Sequence, residues 1–291
     1  MNALTPIQID AVADPFFIAG PAVVSFSGGP TSGYMLWHIL QAHGGTLPDD
    51  VLVIFANTGE ESEVTLEFVR DCGERWGVPI VWLEYRHGYK PGATRRTRWA
   101  EVVTFETASR KGEPFDMLLE SKRIVPDRSR RSCTEQLKVL TIRRYLRSMG
   151  WDRWQNVIGF RADESARIET KQANEAAAPG SFFSTFPLAA AYVQEFEILS
   201  WWKRQNFGLS RNPDGEGHNC GGMCFMMSSN QIGRMSRSDP ERAARWAARE
   251  ARWGTKTMRP DMSYAEIIEI ARNQGVLPWD DASPCDQACG V

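Results

Sequence analysis

The sequence lacks the segments that would connect it to a membrane or to secretion. No apolar run approaches the roughly 18 residues that a membrane-spanning helix needs. The first 14 residues do not combine a basic stretch with an apolar core, as a secretory signal does. We therefore expect a cytoplasmic protein that makes no membrane contact.

Neither sign of charge is in excess, and cysteines are few. The 34 Lys and Arg face 36 Asp and Glu, so the formal net charge is −2. This balance argues against a protein that coats polyanions with its whole surface, although it leaves room for a local basic groove. Six cysteines in 291 residues, without export, indicate thiol, metal or catalytic roles and not a disulfide scaffold.

Short apolar runs alternate with helical patterns along most of the chain. The predicted strands lie at 22–26, 51–56, 80–85 and 156–160. The predicted helices lie at 32–40, from 62 to 76, near 99–110, and at 134–149, 194–205, 240–253 and 263–274. Strand–helix units with short turns favour an α/β fold with a parallel sheet and right-handed crossovers. We expect an α/β domain over 1–190 and a helical, cysteine-bearing part over 191–291.

A glycine-rich loop follows the first predicted strand and precedes a helix. Its sequence is Ser-Phe-Ser-Gly-Gly-Pro-Thr-Ser-Gly at 25–33. Small residues let a phosphate approach the backbone, and the helix N-terminus that follows favours an anion. The loop is not a P-loop, because no lysine follows, and its glycine spacing is not that of the dinucleotide fingerprint. An ordinary tight turn is the competing interpretation.

Further motifs follow this loop in a fixed order. They are Phe-Ala-Asn-Thr-Gly-Glu at 55–60, Arg-Ser-Cys-Thr with Leu-Lys at 131–138, Gly-Phe-Arg-Ala-Asp-Glu-Ser at 159–165 with Arg167, and Pro187-Leu188. With the loop, they resemble the PP-loop adenine nucleotide α-hydrolase-like superfamily. Within it, the chain is most similar to the phosphoadenosine phosphosulfate reductase family, in its uncharacterised phage and bacterial branch. The resemblance covers about 200 residues.

The resemblance implies an adenine nucleotide site, with ATP and Mg²⁺ as the expected ligands. It implies that the nucleotide contacts Ser25, Ser27, Gly28, Gly29, Thr31, Ser32, Gly33, Asn57, Thr58, Gly59, Arg161 and Asp163. The candidate catalytic residues are Cys133, Lys138, Arg161 and Glu164. Each has an ordinary alternative: a capped turn at 57–59, an internal ion pair for Arg161, and a surface lysine at 138.

Two departures from the family pattern keep three functions open. Thr31 stands where ATP-cleaving relatives usually carry an acidic residue, and the Glu-Cys-Gly-Leu-His tail of the sulfonucleotide reductases is missing. The first function is substrate adenylation with pyrophosphate release, for iron–sulfur-assisted sulfur transfer to an acceptor such as a nucleic acid. The second is reduction of a sulfonucleotide by a cysteine thiolate and a thioredoxin-type reductant. The third is a nucleotide-binding regulatory module without turnover.

Four cysteines form two Cys-x3-Cys pairs, Cys220 with Cys224 and Cys285 with Cys289. Four thiolates in turn-rich segments suit a [4Fe–4S] cluster or a structural zinc, and the family context favours the cluster. Cys133 is the alternative ligand, and Cys289 is either a ligand or a nucleophile. Cys72 lies on the apolar side of a helix and is expected in the core. His218 is taken as a bystander.

Basic residues concentrate between residues 95 and 131. This segment holds ten Arg and Lys and six Asp and Glu. Such an excess can bind a polyanion, either a nucleotide or a nucleic-acid backbone, and a solvated basic loop is the alternative. A second basic stripe, formed by Arg242, Arg245 and Arg249 on a predicted helix, is expected to face solvent.

Overall fold

A six-stranded sheet organises the chain. The computed structural model describes residues 14–178, 180–209, 219–254 and 256–274. The strands are β1 (Ala22–Ser25), β2 (Val51–Asn57), β3 (Ile80–Tyr89), β4 (Arg96–Val103), β5 (Trp154–Val157) and β6 (Phe182–Thr185). Their order is β4-β3-β2-β1-β5-β6, and only β4 runs antiparallel to its neighbour. This is a mixed α/β fold with a mostly parallel, Rossmann-like sheet, as the alternating pattern predicted.

Ten α-helices and a π-helix are present in the described ranges. They are α1 (Pro30–Ala42), α2 (Glu63–Trp76), α3 (Glu113–Lys122), the π-helix (Thr134–Val139), α4 (Leu140–Ser148), α5 (Ser165–Ala177), α6 (Pro187–Ala190), α7 (Glu195–Trp202), α8 (Ser229–Ser238), α9 (Pro240–Trp253) and α10 (Tyr264–Gln274). None of these helices is both long and apolar enough to cross a bilayer.

The central strands are apolar along their whole length because helices cover both faces of the sheet. Val24, Val53 and Phe55 point to one face, where they pack with residues of α1, α2 and α7 in what we call the front core. Val23 and Ile54 point to the other face, against α4, in the back core. The alternation along β1 and β2 therefore divides buried residues between two layers.

A third core joins the C-terminal helices to the α/β part. Phe115 of α3, Trp246 of α9 and Tyr264 of α10 pack together, and Tyr85 of β3 belongs to the same cluster. We call it the C-terminal core. The front core in turn includes Ile198 of α7, which lies beyond residue 190. The proposed division at residue 190 stays a prediction.

One predicted element is wrong. A helix was expected near 99–110, and the structure has β4 at Arg96–Val103 instead. The strand pairs with β3 along eight positions, from Trp82 opposite Val103 to Tyr89 opposite Arg96. Cross-strand hydrogen bonding by a neighbour outweighed a weak local pattern. The helices α3, α5, α6 and α8 and the strand β6 had no counterpart among the predictions.

Candidate functional site

The order of the strands reverses at β1, and this marks a crevice. The chain runs outward from β1 through β2 and β3, and later returns to β5 on the other side of β1. In open α/β sheets, ligands bind beyond the carboxyl ends of the strands at such a switch point. Here the crevice lies between the glycine loop after β1 and residues 158–161 after β5.

The glycine loop is tightly packed at its first glycine. Gly28 has φ +76°, and a Cβ there would lie 2.9 Å from Thr65 Cγ2 and 3.2 Å from Phe55 Cε2. A side chain at this position would face both backbone strain and a clash. Gly29 differs, because its φ is −106° and a Cβ would meet only Ser27 Oγ, at 3.6 Å.

Ser32 holds the loop in shape. Its Oγ accepts hydrogen bonds from the backbone N–H groups of Ser27 and Gly29, both at 3.3 Å, and from Ser27 Oγ at 3.0 Å. It also donates to the Gly29 carbonyl at 2.9 Å. Ser32 is buried, so its hydroxyl sets the path of the loop. Among the predicted nucleotide contacts, Ser32 therefore has a positioning role.

The N-terminus of α1 opens into the crevice. Gly29 is the N-cap and has no side chain to cap the first turn, Pro30 after it has no N–H, and the N–H of Gly29 itself donates to Ser32 Oγ. Because the first turn of a helix leaves N–H groups unpaired, this end favours an anion. Trp202 of α7 fastens the helix start, since its Nε1 donates to the Pro30 carbonyl at 2.7 Å. A Cβ on Gly33 would lie 2.7 Å from the same indole.

The loop after β5 packs directly beside the start of α1. A Cβ on Gly159 would make ordinary contact with Thr31 Cγ2, at 3.7 Å. Below it, Ser25 Oγ donates to Asn156 Oδ1 at 2.8 Å and joins the ends of β1 and β5. Thr31 is half-buried and Ser25 is buried. The structure thus brings the two loops together, with Thr31 at their junction.

Arg161, predicted as a phosphate clamp, is held in an internal network. It is 7 % exposed, and its Nε and Nη2 donate to the two oxygens of Asp163 at 3.0 and 3.2 Å. The hydrogen bond from Arg161 lowers the pKa of Asp163. Glu164 accepts the Arg161 backbone N–H at 2.9 Å and pairs with Arg167. This geometry agrees with the alternative interpretation, an internal ion pair.

The segment after β2 is buried and internally bonded. Asn57 is fully buried, and its Nδ2 donates to Glu84 Oε1 at 2.6 Å and to the Ser109 carbonyl at 2.9 Å. Its Oδ1 accepts the Gly59 N–H at 3.0 Å, and Thr58 Oγ1 donates to Glu61 Oε1 at 2.9 Å. The side chains of Asn57 and Thr58 thus fix the backbone at the carboxyl end of β2, which borders the crevice.

A buried ion pair that the sequence did not predict joins this segment to α9. Glu60, 1 % exposed, accepts from Arg249 Nη1 at 2.6 Å and from Trp246 Nε1 at 3.0 Å. Arg249 also contacts Asp116 through two hydrogen bonds, at 2.6 and 3.0 Å. Arg242 Nη1 donates to the Glu60 carbonyl at 3.0 Å.

The expectation of a solvent-facing stripe on α9 is therefore wrong for Arg242 and Arg249. Arg245 comes nearer to the expectation, since it pairs with the exposed Glu241, but it is half-buried and its Nε is buried. The sequence held part of the information needed to predict that Arg249 is buried. Arg249 lies three residues after Trp246, which places both on the buried face of the helix.

Cys133 directly precedes the π-helix, which contains Lys138. Both residues are half-buried. The π-helix packs against β2, β3 and α3, and the Gln136 carbonyl within it accepts the Thr141 hydroxyl at 2.8 Å. Such helices are rare and often occur at functional sites. The candidate catalytic roles of Cys133 and Lys138 stay predictions.

Cys220 and Cys224 lie beside one buried phenol. Burial raises the pKa of Tyr264, and the neighbouring Cys224 and Cys220 raise it further. The Tyr264 hydroxyl donates to the Met223 carbonyl at 2.5 Å. Three consecutive left-handed residues, from Cys220 to Gly222, shape this turn. A Cβ on Gly221 would lie 2.9 Å from the Glu60 carbonyl, so the turn adjoins the carboxyl end of β2.

The described residues supply half of the expected ligand set. They contain no group of three His, Cys, Asp or Glu side chains placed to hold a metal ion. Cys133 packs against the C-terminal core but does not complete such a group with the other two thiols. Cys285, Cys289 and His218 lie outside the described residues. Cys72 is buried in the front core as predicted, and burial raises the pKa of its thiol.

The basic residues of 95–131 lie on β4, on α3 and in the loops around these two elements. Arg96 and Arg98 belong to β4, Lys122 ends α3, and Arg128 lies in the following loop. Arg128 is an internal contact, since its Nε donates to the Phe225 carbonyl at 3.2 Å. The exposed cations of this segment are Arg95, Arg96, Arg98, Lys111, Lys122, Arg123, Arg130 and Arg131. Five of these eight lie around β4 and the end of α3, and the other three lie in the loops before and after α3.

Comparison with known proteins relates the chain to a phage protein. No protein-family model matches the chain. The chain is 32 % identical over 216 residues to the uncharacterized nin region protein ORF290 of Escherichia phage lambda, and the match covers 72 % of this chain and 68 % of that protein. At this identity and coverage, the chain belongs to the family of the phage lambda nin region protein ORF290.

Proposed function

We propose that the protein is an ATP-using enzyme with the adenine nucleotide α-hydrolase-like fold. The observation that carries this proposal is the N-terminus of α1, whose N-cap is a glycine and which lies with the glycine loop at the switch point between β1 and β5. A triphosphate there would meet unpaired N–H groups and the positive end of a helix dipole. The ordered motifs that resemble the phosphoadenosine phosphosulfate reductase family supply the choice of an adenine nucleotide.

The proposed reaction begins with substrate adenylation. A substrate oxygen attacks the α-phosphorus of ATP, the bond to the bridging oxygen breaks, and pyrophosphate leaves with Mg²⁺. The N–H groups of Gly28 and Thr31 and the Thr31 hydroxyl hold the phosphates, since the N–H groups of Ser27 and Gly29 donate to Ser32 Oγ. In a second step, a sulfur nucleophile displaces AMP from the adenylated substrate, and the acceptor carbon–oxygen bond becomes a carbon–sulfur bond.

The acceptor we propose is a nucleic acid. Exposed cations around β4 and α3 adjoin the same edge of the sheet. For the sulfur step we propose a [4Fe–4S] cluster held by Cys220, Cys224, Cys285 and Cys289, with zinc as the alternative. Such a cluster, when bound, supplies a site at which sulfur is held near the nucleotide.

The metal proposal predicts that the protein contains iron and sulfide after anaerobic purification. Cys220→Ser and Cys224→Ser are each expected to lower the iron content by more than about half, because a four-thiolate site loses one ligand. Cys72→Ser is the matched control, since Cys72 lies in the front core away from the other thiols. Iron, zinc and acid-labile sulfide are measured together. Zinc without sulfide would select the alternative, and absence of both metals would overturn the site.

The catalytic proposal predicts pyrophosphate release from ATP. Release is measured with the full-length protein, Mg²⁺ and ATP, with and without single-stranded DNA or RNA, and stimulation by an oligonucleotide is expected. Sulfite release from a sulfonucleotide, without pyrophosphate release from ATP, would replace the proposal by the reductase. Nucleotide binding without either product would replace it by the regulatory module.

A further inference from the structure

The β3–β4 hairpin extends beyond the rest of the sheet at the crevice edge. β3 pairs with β2 only as far as Glu84, opposite Asn57. Its last five residues, 85–89, pair with β4 alone. At about 3.3 Å per residue, the hairpin reaches roughly 17 Å past the end of β2. Because β3 is parallel to β1 and β2, it projects from the same edge as the glycine loop.

The strand register places cations and an aromatic ring on one face of this hairpin. His87 is opposite Arg98, and Tyr89 is opposite Arg96. Directly opposed residues in an antiparallel pair share a face, and so do residues two apart along a strand. His87, Tyr89, Arg96 and Arg98 therefore form one surface, which we call the hairpin face. Tyr89 is 68 % exposed, an unusual position for a large ring.

Among the described residues, no carboxylate forms an ion pair with the arginines of this face, and Glu120 is an acidic neighbour of His87. Glu84 and Glu101 both pair with Arg86, which belongs to the opposite face of β3. Arg98 donates to Ser121 Oγ on α3 at 3.1 Å, and the exposed Lys122 and Arg123 follow Ser121. Within the described part of the chain, no ion pair involves Arg96, Arg98, Lys122 or Arg123. Burial lowers the pKa of His87, and Arg96 and Arg98 lower it further, against an opposing effect of Glu120.

Polar atoms without partners lie at the base of the hairpin face. The Arg144 guanidinium of α4 lies over the ring of Tyr85, with 5.9 Å from its Cζ to the ring centroid. Tyr85 precedes His87 by two residues and shares its face. Neither Arg144 Nη1 nor the Tyr85 hydroxyl has a hydrogen-bond partner among residues 14–274 that the structure describes. Unpaired buried polar atoms are costly and rare, so their presence at the base of the hairpin face is a second unusual feature of this part of the sheet.

We propose that the hairpin face binds a single strand of nucleic acid. The arginines contact phosphates, and a base stacks on Tyr89. A strand is favoured over a duplex because an exposed ring between cations offers its face to an unstacked base, whereas a duplex covers its base faces. The proposal deepens the proposed function by placing its acceptor, and it rests on that function only for what happens after binding.

The test is fluorescence anisotropy with a labelled oligothymidylate of about 20 nucleotides and no ATP. The double variant Arg96→Ala with Arg98→Ala is expected to weaken binding at least about tenfold. It should also make the plot of log association constant against log salt concentration less steep, by about 1.4 in the magnitude of its slope. Tyr89→Ala is expected to weaken binding about tenfold with an unchanged salt slope, and Tyr89→Phe to restore it. The control is Arg75→Ala with Arg153→Ala, two exposed arginines that come shortly before the amino ends of β3 and β5, whereas the hairpin projects from the carboxyl end of β3.

The outcomes separate the proposals. Equal binding by the Arg96 and Arg98 variant and the wild type, or equal losses in the control, would overturn the hairpin face. Equal competition by an unlabelled duplex, with no effect of Tyr89→Ala, would overturn the preference for a single strand. Because the assay contains no nucleotide, a protein that fails to cleave ATP can still pass it. Failure of this proposal therefore remains distinct from failure of the proposed function.

Discussion

Gly29→Asp is expected to weaken ATP binding about 100-fold and to leave the fold intact. The N-cap position accepts a side chain, since Gly29 has φ −106° and a Cβ would meet only Ser27 Oγ at 3.6 Å. Aspartate would place a negative charge at the N–H groups that the phosphates need. Two like charges about 5 Å apart at an effective dielectric constant near 20 repel by about 3 kcal/mol, which corresponds to about 100-fold in affinity.

Gly29→Asn is the matched control, because asparagine has the same shape without the charge. It is expected to weaken binding by less than about tenfold, through competition for one N–H group. Both residues are good N-caps, so the free energy of unfolding should stay within about 0.5 kcal/mol of wild type. Affinity is measured by calorimetry with MgATP, and unfolding by urea titration. Unchanged ATP affinity in Gly29→Asp would show that the phosphates do not lie at the start of α1.

The position of this loop is the part of the site that the sequence predicted well. A continuous apolar run at 22–26, two glycines and a helical pattern are local signals, and each requires only neighbouring residues to interpret. The helix α1 followed from them, although its start was predicted at residue 32 and lies at Pro30, with Gly29 as the N-cap. The residues across the crevice from the loop could not be predicted from local sequence. Gly159 lies beside Thr31 only because β5 pairs with β1.

The hairpin was harder to predict because its pattern is mixed. β4 reads Arg-Thr-Arg-Trp-Ala-Glu-Val-Val, with cations where a half-buried strand would place apolar residues. Alternation toward a core is the usual signal for a strand. Here one face of the strand carries Arg96 and Arg98 instead, so the signal was weak and a helix was predicted in part of the segment. The residues of the proposed binding surface thus weakened the sequence signal of the strand that carries them.

The ion pair between Glu60 and Arg249 was beyond any local pattern. The partners are 189 residues apart. A charged residue on a helix usually faces solvent, so Arg249 was assigned to the exposed side of α9. The assignment failed because Glu60, Asp116 and Trp246 together supply the polar and aromatic contacts that make burial of a guanidinium tolerable.

Arg249→Met is expected to lower the free energy of unfolding by about 3–5 kcal/mol. Removing one partner of a buried pair leaves the other as an uncompensated charge, and Glu60 is 1 % exposed. Arg245→Met on the same helix is the matched control. Arg245 pairs with an exposed glutamate, so its loss should cost less than about 1 kcal/mol. Urea titration of the two variants gives the comparison, and equal costs would contradict a special role for Arg249.

Neutralising the orphaned partner should restore much of the lost stability. In the double variant Glu60→Gln with Arg249→Met, no buried charge remains at the pair. The glutamine carbonyl can still accept from Trp246 Nε1, which in the wild-type protein donates to Glu60 Oε2 at 3.0 Å. The double variant should therefore be more stable than Arg249→Met alone, with a coupling energy of about 2–3 kcal/mol. Additive costs would mean that packing of the long arginine side chain over Phe115, and not its charge, joins α9 to the end of β2.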